Sequence, residues 1–224
     1  MTATFLGLDA ADWHAVALSL RVSVVAAALC VALGVPLAVW LARGESRWRF
    51  VVETVLTAPL VVPPVVTGFA LLLVLRACGS GLLFTWWAAA LASAVVALPL
   101  LVRTTRAAVE QTDRRLTLVA ASLGASRWRC FWTITVPLAG PGIVGGAALA
   151  WARAFGEFGA TMVVAGNIPE RTRTIPLAIW TSLQSRPLSS AAGLVIASLV
   201  VSVAAVALSE WLVRRCQHEK PCST

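Results

Sequence analysis

The sequence predicts an all-α chain, a polytopic membrane bundle of about five to six crossing helices in a single domain over residues 1–224. Three observations predict it. Of the 224 residues 59% are hydrophobic and only 12% charged, with a mean hydropathy of +0.85. A soluble domain carries ~45–50% and ~25%, so this chain has too little polar surface to cover a water-facing globule. Stretches 82–102, 131–152 and 191–209, and most of 22–42, run without a formal charge, each close to the ~20 residues that cross a ~30 Å hydrocarbon core. Finally, the basic residues are sorted into one set of loops. Together these exclude a soluble enzyme, a disordered chain and a secreted disulfide scaffold, and leave a membrane enzyme open.

The first span is expected at 15–42. At about 1.5 Å per residue it exceeds the core thickness, so it must tilt or overhang, and Arg21 near one end can snorkel to the interface. No Lys or Arg precedes Arg21, so the basic region of a cleaved signal is missing and the segment is expected to be retained. The second span is expected at 51–75, with Glu53 near its start and Pro59, Pro63 and Pro64 in its middle. Proline removes a backbone donor, so that backbone must be buried in protein or line water. The third span is 82–102. The fourth is 131–152, where Gly140, Gly142, Gly145 and Gly146 allow close helix approach. The last runs over about 188–213. Between the fourth and last lie two apolar pieces within 153–187, each too short to span. They read as a re-entrant or half-crossing pair, or as one broken sixth helix.

Net charge is +8, from 18 Lys and Arg against 10 Asp and Glu. In a soluble chain this would suggest nucleic acid; in a membrane chain it sets orientation, and no nucleic-acid partner is expected. If the 43–50 and 103–130 loops share a side with the C-terminus, that side holds Arg43, Arg47, Arg49, Arg103, Arg106, Arg114, Arg115, Arg127, Arg129, Arg214, Arg215 and Lys220. The other side has Arg76, Arg171, Arg173 and Arg186. The positive-inside rule then puts the C-terminus in the cytoplasm, and five spans put Asp9 and Asp12 outside. Trp13, Trp40, Trp86, Trp151 and Trp211 fall near span ends, as an interfacial belt would. The cysteines (Cys30, Cys78, Cys130, Cys216, Cys222) form no CxxC and have no histidine at ligand spacing, so neither a disulfide framework nor a metal site is expected.

The longest basic loop, 103–130, carries a pattern of its own. Asp113 can cap a helix. Leu116, Val119, Ala120 and Leu123 follow at i, i+3, i+4 and i+7, one apolar stripe. Gly124 can stop the helix, Ala125 follows, and Ser126 can cap a second turn carrying Arg127, Trp128 and Arg129. Two readings stand side by side: an amphipathic helix lying on anionic lipid, or an apolar ridge with an Arg rim that plugs into a soluble partner.

Here the sequence resembles a family. Ala120, Gly124, Ile134 and Pro137 match, at the right spacing, the E-A-A-x3-G-x9-I-x-L-P loop of ABC-importer permeases; Leu118 stands where that family prefers Glu, Val119 for the first Ala, and Val136 for Leu. Residues 152–180, ARAFGEFGATMVVAGNIPERTRTIPLAIW, are similar to the signature of molybdate-type permeases, and PLVVPPVVTGFALLL resembles that family's second helix. The resemblance implies a type I ABC-importer permease fold, with 103–130 as the cytoplasmic coupling-helix loop. It implies ATPase coupling by Leu116, Val119, Ala120, Leu123, Gly124, Ala125 and Arg127. It also implies a homodimer, two copies of a cytoplasmic ATPase that uses ATP and Mg, an external oxyanion-binding protein, and no cofactor on this chain. The cargo would be molybdate, with tungstate and sulfate open.

Molybdate is a tetrahedral dianion, and stripping its water in a low-dielectric core costs several kcal/mol even in a relaxed site. A permease avoids this with a wet, gated path that has few fixed charges, because conduction needs release. Candidates for the path or gate are Pro63, Pro64 and Thr67, together with Gly156, Glu157, Gly159 and Thr161. Glu157 faces a dianion unfavourably, so it is expected to be structural, pairing with Arg153 four residues earlier or capping nearby backbone. His14 and His218 are far apart, no nucleophile constellation appears, and no G-x-x-x-x-G-K-[ST] is present. The chain is therefore expected to be non-catalytic. A membrane enzyme would need clustered polar groups, and a secondary carrier would show internal repeats with ionisable residues at the midplane; neither is found.

Overall fold

The computed structural model describes residues 9–44, 47–185 and 188–218. Arg186, Lys220 and Cys222 lie outside the described residues. Within them every regular element is helical: α1 (Ala10–Ala42), α2 (Arg47–Val61), α3 (Pro64–Ala77), α4 (Trp86–Glu110), α5 (Arg114–Ser122), α6 (Arg127–Cys130), a π turn (Phe131–Thr135), α7 (Val136–Phe155), α8 (Gly159–Ala165), α9 (Ile175–Ser185) and α10 (Leu188–His218). Four segments are long and apolar enough to cross a membrane: α1, α4, the continuous helix 127–155, and 191–215 within α10.

Helix α4 is the centre of the bundle. Its alanine-rich middle packs against α1 and α7, where Ala26, Cys30, Ala97, Leu101, Ala139 and Ala150 form one dry cluster. Small side chains let the backbones approach closely, which substitutes for a hydrophobic driving force in lipid. Gly142 and Gly146 carry this out on α7, where an added Cβ would strike Ala108 and Thr104 of α4. Gly140 has nothing near it and Gly145 meets only Val213 at 3.8 Å.

Three expected boundaries are corrected. The segment 51–75 is not one continuous helix but two, α2 and α3, bent by 119° at Val62–Pro63, the geometry of a broken span or a re-entrant loop. Pro63 precedes Pro64, and a residue before proline is pushed out of the helical region; Pro63 accordingly sits at ψ 132° and acts as the N-cap of α3. The third span does not stop at 102. It continues as helix to Glu110, so the first eight residues of the expected loop belong to α4. The first span begins at Ala10, because the backbone N–H of Asp9 donates to Asp12 Oδ2 at 3.0 Å and starts the helix early. Arg21 does not simply extend away from the bundle: its guanidinium lies 3.9 Å from the ring centre of Trp86.

The two short pieces between the fourth and last spans are separate helices, α8 and α9, joined by 166–174. Helix α8 is enclosed by α3 and α4, with Ala160, Val164 and Ala165 in the second core cluster. Helix α9 is anchored to α1 by its first amide, Ile175 N–H donating to Ser19 Oγ at 2.7 Å. Neither spans alone; α8 is buried at both Gly159 and Ala165, whereas α9 is buried at Ile175 and exposed at Leu183 and Gln184.

Candidate functional site

Two places gather the singled-out residues. The first is the module 113–135 at the arginine-rich end of α1 and α4. Asp113 Oδ1 accepts from Arg115 N–H at 2.8 Å and starts α5. Gly124 closes it at φ +86°, a left-handed position open to glycine, and Ala125 N–H returns to Ala120 O at 3.0 Å. Ser126 Oγ then accepts from Arg129 N–H at 3.2 Å and starts α6. The π turn follows directly, with Val136 N–H reaching Phe131 O. Pro137 explains the widened turn: its ring has no N–H and crowds the carbonyl four residues back, so the register loosens just ahead of it.

The apolar ridge forms, but it is rotated from the sequence pattern. The most outward residues are Leu123 (83% exposed), Leu118 (68%) and Val119 (58%), with Leu116 at 48%. Ala120 and Ala125 turn partly inward, and Arg127 is exposed. Leu118, which the stripe omits, is therefore part of the ridge, as an α5 held along its Thr117–Ala120 side requires. Trp128 (70% exposed), in the turn that Ser126 caps, stacks on Phe131 at 5.8 Å and meets Trp132 edge-on at 5.7 Å. The signal for Leu118 was its apolar type next to the stripe.

Arg43 is the residue that sequence reasoning missed. Its Nη2 donates to Thr135 Oγ1 in the π turn at 2.6 Å, and its carbonyl accepts from Arg114 Nη2 at 3.0 Å. One residue past α1 thus ties α1 to both the start of α5 and the base of α7. No local motif marks it.

The second place is the joint between α7 and α8. Pro64, Val65 and Gly68 in the first turns of α3 meet Gly159 and Ala160 at the start of α8, and Pro63 and Thr67 lie on the same turns. A Cβ on Gly159 would lie 3.1 Å from Pro64, and one on Gly68 would lie 2.7 Å from the Ala160 backbone. The two halves of the candidate path, nearly a hundred residues apart in sequence, are thus neighbours. Their exposure differs. Pro63 and Gly156 face outward, Pro64 and Thr67 are half-buried, and Glu157, Gly159 and Thr161 are buried. The Thr161 hydroxyl donates to Phe158 O at 2.9 Å, which is a local use.

Glu157, 2% exposed, does both things expected of it. Oε2 pairs with Arg153 Nη1 at 2.6 Å, and Oε1 accepts from Ala160 N–H at 2.9 Å. The pair does not share a helix, since α7 ends at Phe155. The carboxylate instead bridges the last turn of α7 and the first turn of α8 across Gly156. Beyond the joint, Arg173 Nε donates to Asn167 Oδ1 at 2.9 Å, so the 166–174 loop holds itself, with Arg171 exposed.

Residues 34–218 match the family described as "Binding-protein-dependent transport system inner membrane component". The chain is 42% identical over 215 residues to the molybdenum transport system permease protein ModB of Escherichia coli, covering 91% of this chain and 94% of that one. In fold it is similar to a chain of the MetNI methionine ABC transporter in an inward-facing conformation, with a TM-score of 0.73, 16% identity, and coverage of 92% and 94%. It is also similar to a chain of a bacterial alginate ABC transporter in complex with an alginate pentasaccharide-bound periplasmic protein, with a TM-score of 0.73, 18% identity, and coverage of 96% and 83%.

Proposed function

Since this chain belongs to the family of binding-protein-dependent transport system inner membrane components, we propose that it is the membrane-spanning subunit of an ATP-driven importer that carries molybdate inward by alternating access. Two copies of the chain form the pathway, and two copies of a separate cytoplasmic ATPase drive it. That ATPase holds the ATP and Mg; this chain holds no cofactor and performs no chemistry. An extracytoplasmic oxyanion-binding protein delivers the cargo; the alginate ABC transporter of similar fold is likewise in complex with a ligand-bound periplasmic protein. The C-terminus lies in the cytoplasm, on the side where most arginines gather.

The observation that carries the reading is the ridge of Leu118, Val119 and Leu123. Three large apolar side chains, each more than half exposed, cap a short helix beyond the spans. That is the shape of an anchor for a groove in a soluble partner. The 42% identity to a molybdenum permease supports the cargo. The joint at Glu157 is the fold's internal brace. The path runs over the outward faces at Pro63 and Gly156, where few fixed charges would retain a dianion.

The test is ATP-dependent uptake of labelled molybdate into proteoliposomes holding this chain with its ATPase and binding protein. Tungstate and sulfate serve as competitors. Uptake of molybdate outcompeted by tungstate and weakly by sulfate is expected; no uptake of any tetrahedral oxyanion overturns the proposal.

A further inference from the structure

A cleft of about 1030 Å³ opens between the end of α1, the end of α4, and α5 with the π turn. It adjoins the outward ridge at Leu118, which lines it together with Arg114, Thr117 and Ala121, while Val119 and Leu123 do not line it.

Its charge is one-sided. Arg43, Arg49, Arg114 and Arg127 line it, against Glu110 and Asp113. Glu110 is paired away, Oε1 to Arg106 Nε at 2.7 Å, and Asp113, which keeps its charge, has Oδ1 on a backbone amide of α5 at 2.8 Å, so the lining stays net positive. Arg49 is held over the Trp40 ring at 4.8 Å, and its Nη1 is buried with no hydrogen-bond partner among the described residues. Arg127 has no ion-pair partner among the described residues. A buried guanidinium nitrogen without an acceptor is unfavourable, and a planar fork of donors suits a phosphate oxygen.

We propose that this cleft is a binding site for the phosphate headgroup of an anionic phospholipid. The chemistry is that of a tetrahedral phosphoryl oxyanion. The setting points to lipid as its source. Trp40 and Trp128 flank the arginines where the α1 and α7 spans leave the apolar zone, the level at which tryptophan and headgroups meet. Basic pockets between spans on the cytoplasmic side are suited to anionic headgroups. The bound lipid bridges α1 and α5, supplementing the Arg114–Arg43 hydrogen bond, and so makes the ridge's position dependent on membrane composition. The inference does not depend on which ion the importer carries.

The experiment uses the intact complex with its ATPase in detergent. It is titrated with phosphatidylglycerol or phosphatidylcholine, and bound lipid is counted by native mass spectrometry. Phosphatidylglycerol retention well above phosphatidylcholine is expected. It should fall about fivefold in Arg49→Gln and again in Arg127→Gln, and recover only in part in Arg49→Lys, which keeps the charge without the planar fork. Equal retention of the two lipids, or retention unmoved in the double variant, overturns the proposal. Displacement of the lipid by millimolar inorganic phosphate or molybdate assigns the cleft to a soluble oxyanion and likewise overturns it. Photocrosslinking with a phosphatidylglycerol probe on the unaltered complex needs no variant to fold. Labelling concentrated at 39–43, 49 and 125–131 supports the site, and labelling spread evenly along α10 sinks it.

Discussion

The ridge on α5 and the joint between α7 and α8 are built on opposite principles. The ridge exposes its apolar side chains and holds its shape with local caps, Asp113 at one end and Gly124 at the other. The joint hides a carboxylate and holds its shape with contacts between distant segments, Glu157 to Arg153 and Ala160 within it, and Gly159 against Pro64 across it. The contrast teaches where failure should show. Damage to the ridge should remove coupling and spare the fold; damage to the joint should loosen the fold first.

The sharpest break is Leu118→Asp with Leu123→Asp. Both are largely exposed, so the melting temperature in detergent should hold. Affinity for the ATPase should fall by ~30-fold or more, as for loss of a buried apolar anchor of ~2 kcal/mol or more. A stable complex with unimpaired uptake would remove the ridge from the coupling role.

Next comes Glu157→Ala, which leaves Arg153 and the Ala160 amide without their partner. Removing one side of a buried pair costs about 3–5 kcal/mol, and the low end applies because Arg153 is partly exposed. Thermal unfolding should drop by several degrees. Glu157→Gln keeps an acceptor for Ala160 and should lose less, with assembly and uptake retained. A Gln variant that assembles normally but transports nothing would move Glu157 from brace to path.

Smaller effects separate the two ends of α5. Gly124→Ala forces a Cβ into the left-handed region at φ +86°, a penalty of about 1–2 kcal/mol, read as faster amide exchange over 119–126 with little change in overall melting. Asp113→Ala removes one cap and about 1 kcal/mol, which should fray the first turn of α5 and weaken ATPase binding only a few-fold. If either change melts the whole bundle, α5 is not the local unit described.

The sequence carried the membrane class, because a run of some twenty uncharged residues has no stable place in water. It carried α5 with its caps, since a cap is read within four residues. It also placed Glu157 against Arg153, since a spacing of four survives the end of the helix. The 119° bend at Pro63 was visible only as a break, because proline removes a donor but does not choose the new direction.

Tertiary structure alone decided the rest. It turned Leu118 outward and Ala120 inward, because the side of α5 that rests on the protein depends on what lies beneath it. It made Arg43 a tie between α1, α5 and the π turn, a role that no neighbouring residue announces. It set α3 against α8 through two glycines whose only sequence trace is the absence of a side chain. Periodicity and caps are short-range and are written along the chain; helix rotation and the meeting of distant segments minimise a packing energy that exists only once all the helices are in place.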